Sequence, residues 1–256
     1  MTVGSLIGEM PLKDKVSAEE WQRRVELAAL YRLVAMNGWD DLIYTHISAR
    51  IPGPEHHFLI NPYGLLFEEI TASSLIKVDL DANILQETPH RVNPAGFMPH
   101  SAIHGGREDA QFVMHLHTDH GVAVASQKEG LLPLSIQALV VLPRLAYHDF
   151  EGITVSPEER EHMVAHLGDK TVMLLRNHGT FAVGKTAAEC WMEMYLLENA
   201  CKKQVMALSA GRENVLLAPD ASMDVVRSQV ARGVGGALAW PGCLRKLDRT
   251  LPGYDA

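Results

Sequence analysis

Phe112-Val113-Met114-His115-Leu116-His117 reads as a short buried strand carrying histidines at i and i+2. Strand side chains alternate between faces, so both imidazoles project to the same side. Two neutral imidazoles a few ångströms apart make half of a transition-metal site. Downstream, Thr171-Val172-Met173-Leu174-Leu175-Arg176-Asn177-His178-Gly179 is a second strand running into a turn, with His178 just before a glycine. Strand ends and the loops after them are where sites are commonly assembled. The pattern points to a metal site of His115, His117 and His178, open at one or more positions. Spacing alone leaves another reading open. The chain holds 13 histidines, so a His-x-His pair can arise by chance, and one member can be a hydrogen-bonded core residue.

The rest of the chain bounds that site. Its 256 residues are 47% hydrophobic and 21% charged, ordinary for a globular protein able to bury a core. No internal repeat, low-complexity linker or composition break is visible, so one domain is expected over residues 1–256, with its core at about 20–215 and a C-terminal helix and tail over 216–256. A formal net charge of −8 without a long basic run argues against nucleic acid or an anionic membrane as partner and leaves a small-molecule substrate. Cys190, Cys201 and Cys243 are widely spaced and form no disulfide framework, which fits a cytoplasmic protein. Residues 1–15 do not make a signal peptide, and no run of 18 apolar residues occurs.

Residues 18–37 carry apolar positions at helical spacing, with Ser17 and Glu20 as a capping box and Asn37-Gly38 as the stop. Strand-like runs follow at 42–51, 57–61 and 75–80, then a helix at 96–106. After the His115/His117 strand, a helix is predicted over 119–128, and a mixed apolar run with a strand in it over 131–142. Ser156-Pro157-Glu158-Glu159 opens a helix to 167, strands lie at 171–175 and 181–183, and helices at 186–210 and 222–233. The tail over 237–256 shows no period. Several strands are joined too closely for parallel crossovers. The expected fold is α/β: a central, mostly antiparallel or mixed sheet with helices on both faces.

Five motifs in order carry a family resemblance: Gly38-Trp39 with Ile43-Tyr44-Thr45-His46-Ile47-Ser48-Ala49-Arg50; Phe58-Leu59-Ile60-Asn61-Pro62-Tyr63-Gly64; Pro99-His100-Ser101-Ala102-Ile103-His104; His115-Leu116-His117-Thr118; and Arg176-Asn177-His178-Gly179. Together they resemble the class II aldolase/adducin family over roughly residues 20–215. The resemblance implies a three-layer α/β/α fold of the fuculose-phosphate-aldolase type and a homotetramer with sites at subunit interfaces. It also implies one divalent metal ion per subunit on His115, His117 and His178: zinc first, with manganese, cobalt or iron as alternatives. Family enzymes use that metal as a Lewis acid to stabilise an enediolate as a C–C bond breaks.

The departures from the family pattern bear on function. Sugar-phosphate aldolases of the family carry Ser-Ser-Glu four residues before the position of His100, and the Glu is their general acid/base. Here Pro94-Ala95-Gly96 stands there, and Thr45-His46 replaces a phosphate-cradling Gly-Asn. The phosphate grip is dismantled, as in the adducin-like branch, which Leu65-Leu66-Phe67, Thr71-Ala72-Ser73-Ser74-Leu75 and Ala146-Tyr147-His148-Asp149 also match. Proton transfer then falls to other candidates: His46, Tyr147, His148, or Tyr254 as a C-terminal lid. Arg50 is a candidate for a substrate carboxylate, with Asn61, Gly64 and Gly96 as substrate-contacting positions. Each has a structural alternative: a hydrogen-bonded strand histidine for His46, a polar turn at an interface for Tyr147 and His148, an ion pair for Arg50. The expected activity is a metal-dependent lyase, cleaving or decarboxylating a small non-phosphorylated 2-oxo or hydroxy acid through a stabilised enolate. The alternatives are a non-catalytic adducin-like oligomerisation or binding module and a metal-dependent oxygenase on the same fold.

Overall fold

A computed structural model of the chain describes residues 10–152, 157–230 and 235–256. In chain order its elements are α1 (Leu12–Lys15), α2 (Ala18–Met36), β1 (His46–Arg50), β2 (Phe58–Ile60), β3 (Ile76–Val78), α3 (Pro94–Gly106), β4 (Phe112–Leu116), α4 (Asp119–Ala125), α5 (Ile136–Val141), β5 (Leu145–His148), α6 (Pro157–Leu167), β6 (Val172–Leu175), β7 (Gly179–Gly184), α7 (Ala187–Leu208), α8 (Asp220–Gln229) and α9 (Trp240–Thr250). The strands form one sheet in the order β3-β2-β1-β4-β7-β6-β5. Every pairing is antiparallel except β5 with β6, whose connection passes through α6. The sheet is thus mixed and mostly antiparallel, as expected.

Helices cover both faces. On one, α2, α4, α5, α7 and α9 enclose the largest apolar cluster, which includes Leu27, Tyr31, Ile47, Met114, Leu174 and Leu197. On the other, α3 and α6 cover Val113, Met173 and Phe181. Burying a Leu, Ile, Phe or Met side chain contributes on the order of 1.5–3 kcal/mol, so two apolar faces hold the sheet as the middle of three layers. Among the described residues, no helix is long and apolar enough to cross a membrane.

Local chemistry accounts for the element ends. Ser17 Oγ accepts from Glu20 N at 3.1 Å at the start of α2, while the Glu20 carboxylate, instead of reaching back to close the box, accepts from Arg24 and Lys77. Thr186 caps α7 in the same way through Glu189 N. Three expectations are corrected. Residues 131–142 hold no strand: Ser135 caps α5 by accepting from Ala138 N, and Leu139 and Val141 are buried by the helix. The tail does have a period, since Cys243, Leu244, Leu247 and Leu251 lie on one face of α9 or just beyond it and pack on the main core. Residues 145–148 form a strand, β5, where a polar turn was an alternative. The predicted cap Ser156, the end of the helix predicted to 233 and the first nine residues lie outside the described residues.

Candidate metal centre

The site lies where β4, β1 and the β6–β7 turn meet. His115 is the last residue of β4 paired with β1, opposite His46, and it faces Phe181 on β7. His117 follows two residues on, with its ring on the same side. The β6–β7 hairpin brings in the third histidine. Asn177 takes a left-handed φ of +55°, which Asn tolerates better than most residues, and His178 N closes the turn onto Leu175 O at 3.1 Å. The turn can approach β4 because residue 179 lacks a side chain. A Cβ on Gly179 would sit 2.5 Å from Leu116 O and 3.1 Å from both the His115 and His117 rings.

The three imidazoles form a nearly equilateral triangle, with ring centroids 4.9, 4.9 and 5.0 Å apart. One nitrogen from each lies within 4.8 Å of the others. Two of the rings are oriented from behind. His115 Nδ1 donates to Thr180 O at 3.1 Å, and His117 Nδ1 donates to Asp41 Oδ2 at 2.9 Å. Each therefore keeps a bare Nε2 for a ligand, and a carboxylate behind His117 fixes its ring orientation, as around protein-bound metals. His117 Nε2 is buried without a hydrogen-bond partner, an expensive state unless something binds there. Burial and then the neighbouring histidines hold His115 far below the usual imidazole pKa and bring His178 to about 4. Neutral imidazoles are the form that ligates metal, so the donor set fits a divalent ion and leaves at least one tetrahedral position open.

His46 completes the centre. It lies on the same sheet face as His115, with ring centroids 5.8 Å apart. A Cβ built on Gly96 would sit 2.2 Å from His46 Nε2. The imidazole thus fills the space where a side chain at position 96 would begin. Burial, followed by the proximity of His117 and His178, lowers its pKa to about 3, and its Nδ1 is buried without a partner. The preceding Thr45 is held at φ +65°, a left-handed conformation that costs a β-branched residue of order 1–2 kcal/mol. This is where the family pattern has glycine.

A small cleft opens beside His115 and His178, with Leu175, Phe181 and Met163 among its walls and His148 and Asp149 at its side. His148 is 4% exposed, and its Nδ1 stands 2.9 Å from His166 Nδ1. Burial and then His166 lower its pKa. The alternation of β5 sends Tyr147 to the opposite face, where its hydroxyl accepts from Leu131 N at 2.9 Å and its ring stacks under Arg176.

The structure does not bring the other expected residues to the triad. Arg50 is at the far end of β1 from His46, over the Phe58 ring, with one guanidinium nitrogen on His104 O and another on His56. Asn61 is buried at the His46 end of the sheet, but its Oδ1 accepts from Tyr31 Oη at 2.9 Å. Gly64 occupies an exposed turn at φ +105°. Tyr254 is packed in the main core, with its hydroxyl donating to Asp248 at 3.0 Å. Sequence reasoning missed Asp41, Ser48 and His104. Ser48 and His104 lie inside quoted motifs, Asp41 falls between Trp39 and Ile43, and Ser48 is at i+2 from His46, a period-2 signal. Glu198, whose charge alone suggests a solvated position, is buried instead. Glu198 is 2% exposed and accepts from His120 Nδ1 and Gly121 N.

The chain is similar to several known proteins. A family model described as "Class II Aldolase and Adducin N-terminal domain" matches residues 25–205. A Caulobacter vibrioides protein, named provisionally as a class 2 aldolase, is 68% identical over 247 residues, 96% of each chain. Rat alpha-adducin is 42% identical over 218 residues, covering 82% of this chain and 30% of adducin. An L-fuculose 1-phosphate aldolase from Glaciozyma antarctica superposes with a TM-score of 0.79 at 27% identity over 90% of both chains.

Proposed function

The chain belongs to the class II aldolase/adducin family, and from that premise we propose that it is a divalent-metal-dependent lyase. Its substrate is a small, non-phosphorylated 2-oxo or hydroxy acid, cleaved in a retro-aldol sense or decarboxylated. Zinc as the ion, a homotetramer with sites at subunit interfaces and a cytoplasmic location belong to the same proposal. The observation that carries it is the convergence of His115, His117 and His178, with His117 oriented by Asp41 and its Nε2 unpartnered. A purely structural role does not require three imidazoles turned inward with two of them tethered from behind. A divalent ion held there would supply Lewis acidity to a substrate carbonyl oxygen.

The chain's own residues do the rest. His115, His117 and His178 would hold the ion. His46, neutral at physiological pH, occupies the space that the family's glutamate would take from position 96, and it accepts the substrate proton there. The cleft beside His178 receives the remainder of the substrate, with Phe181, Leu175 and Met163 excluding water and His148 offering a polar contact. No phosphate-binding hydroxyl pair precedes Gly96 in the sequence, which favours an unphosphorylated substrate.

One specific observation favours a second reading. Gly96 removes the family's acid/base, and alpha-adducin shares 42% identity over 218 residues, so a non-catalytic binding module has support. Metal analysis separates the two. The purified protein is expected to hold one divalent ion per chain, and His115→Ala and His178→Ala are expected to lose it while staying folded. A wild-type protein without stoichiometric metal sinks the lyase. With metal present, a screen of 2-oxo and hydroxy acids for pyruvate or carbon dioxide release identifies the reaction, and turnover only with oxygen would mark an oxygenase.

A further inference from the structure

Behind His46 lies a buried polar row that the metal centre does not use. On β1, His46, Ser48 and Arg50 share one face. On α3, Gly96, His100 and His104 recur every four residues and cover that face. Four helical residues rise about 6 Å and two strand residues about 6.8 Å, so the two series stay in step. Gly96 meets His46, and both later histidines meet Ser48: Ser48 Oγ is 2.7 Å from His100 Nδ1 and 2.7 Å from His104 Nε2.

The partners fix where each proton sits. His104 Nδ1 is 2.8 Å from Ala110 O, and a carbonyl only accepts, so Nδ1 carries the proton. Full burial keeps His104 neutral, with its pKa lowered to about 3, which leaves Nε2 bare. Ser48 therefore donates its single hydroxyl proton to His104, and Oγ must accept from His100 Nδ1. His100, also buried and neutral, is left with a bare Nε2, and that atom is buried without a partner. The neighbouring His46 ring is edge-on at 5.4 Å, and its own Nδ1 is buried without a partner as well. The molecule supplies a yardstick. His148 and His166, joined Nδ1 to Nδ1 at 2.9 Å, have centroids 5.1 Å apart, closer by only a few tenths of an ångström.

We propose that His100 is the positioning residue for His46: the His104–Ser48 relay holds His100 Nε2 bare, and a small ring rotation lets it accept the His46 Nδ1 proton. His46 is thereby fixed in the tautomer whose bare Nε2 stands beside Gly96. The arrangement does the orienting work of a carboxylate behind a catalytic histidine, with a neutral acceptor in place of a buried anion. The inference rests on reading His46 as the proton-handling group, but its test needs neither substrate nor metal.

The test is the ring-nitrogen NMR spectrum of metal-free protein labelled with 15N-histidine, with His46 and His100 assigned by loss of signal in His46→Gln and His100→Phe. Both residues are expected to show a proton-bearing Nδ1 and a bare Nε2. In His100→Phe the His46 Nδ1 proton loses its acceptor, and its resonance moves toward the average of two exchanging tautomers. His100→Gln, whose amide oxygen can accept, restores the wild-type pattern and decides the matter if the Phe variant does not fold. Zinc affinity stays at the wild-type value in His100→Gln, as a residue outside the ligand set requires. A wild-type His46 protonated at Nε2, or a His46 spectrum indifferent to His100→Phe, overturns the proposal. Loss of metal from the triad would sink the lyase without touching this result.

Discussion

At the scale of single residues, Gly96 and His46 are one feature written at two distant positions. A methyl group at 96 would place its carbon 2.2 Å from His46 Nε2 and 2.6 Å from His46 Cδ2, so the ring has to leave. Overpacking of this kind costs about 1–3 kcal/mol. Gly96→Ala is expected to lose that much by denaturant unfolding, and to lose it only where His46 is present. In a His46→Ala background the same substitution should be nearly neutral, because the colliding ring is gone, and a double-mutant cycle reads the coupling directly. Equal costs in both backgrounds would mean that Gly96 serves the α3 backbone instead. Asp41 gives the second residue-scale prediction. It touches no metal-facing nitrogen, yet it holds the His117 ring at 2.9 Å from behind. Asp41→Ala should weaken zinc binding roughly 10–100-fold, as loss of such supporting carboxylates does elsewhere, measured by competition with a chromogenic chelator. Unchanged affinity would show that Thr180 O and packing alone orient the site.

At the scale of elements, the β1–α3 pair makes stability depend on pH. His100 and His104 are neutral when folded, with burial the leading cause of their lowered pKa values; His104 falls to about 3. In the unfolded chain they titrate near 6.5, so below that pH the unfolded state binds more protons. The sign follows: stability is full above about pH 6.5 and is lost on acidification down toward the folded pKa, at about 1.4 kcal/mol per pH unit for each such histidine. Urea midpoints should therefore fall steeply between pH 6.5 and 5 and stay level above 7.5, and a midpoint flat from 7.5 to 5 would contradict neutral burial. Much of this element pairing was legible beforehand. The period-2 run around His115 and the capping signal of α2 place that strand and that helix without any tertiary information. What failed has local causes. The short helix α5 is apolar on most sides and sits between Pro133 and Pro143, so it offers no period to read. The start of α9, Trp240-Pro241-Gly242, looks like a breaker, although Pro is welcome in a first helical turn. The charge of Glu198 suggested solvent, but its carboxylate is satisfied by His120 and a backbone amide.

At the scale of the whole molecule, the strand order makes the site. Setting β4 between β1 and β7 joins His115 to His46 on one side and to the His178 turn on the other, a neighbourhood that no local pattern encodes and that only the ordered set of motifs implied. The same topology decides where the chain's end goes. Tyr254 packs into the main core at 8% exposure, its carbonyl accepts from Ala72 N at 2.9 Å, and Ser73 N donates to Ala256 O at 2.9 Å. Arg32 adds hydrogen bonds to the carbonyls of Leu251 and Pro252. A segment held by that many backbone bonds serves as a brace on α2 and α9, and a lid would have to break them at every turnover. Tyr254→Phe removes only the bond to an exposed Asp248, so it should cost about 1 kcal/mol or less and leave zinc affinity and turnover unaltered. Tyr254→Ala empties a core position and should cost about 3 kcal/mol of stability, again without loss of zinc affinity. Thermal unfolding and metal titration of the two variants check this together. Should turnover collapse in Tyr254→Phe while stability holds, the hydroxyl reaches the substrate after all, and the brace must open during the reaction.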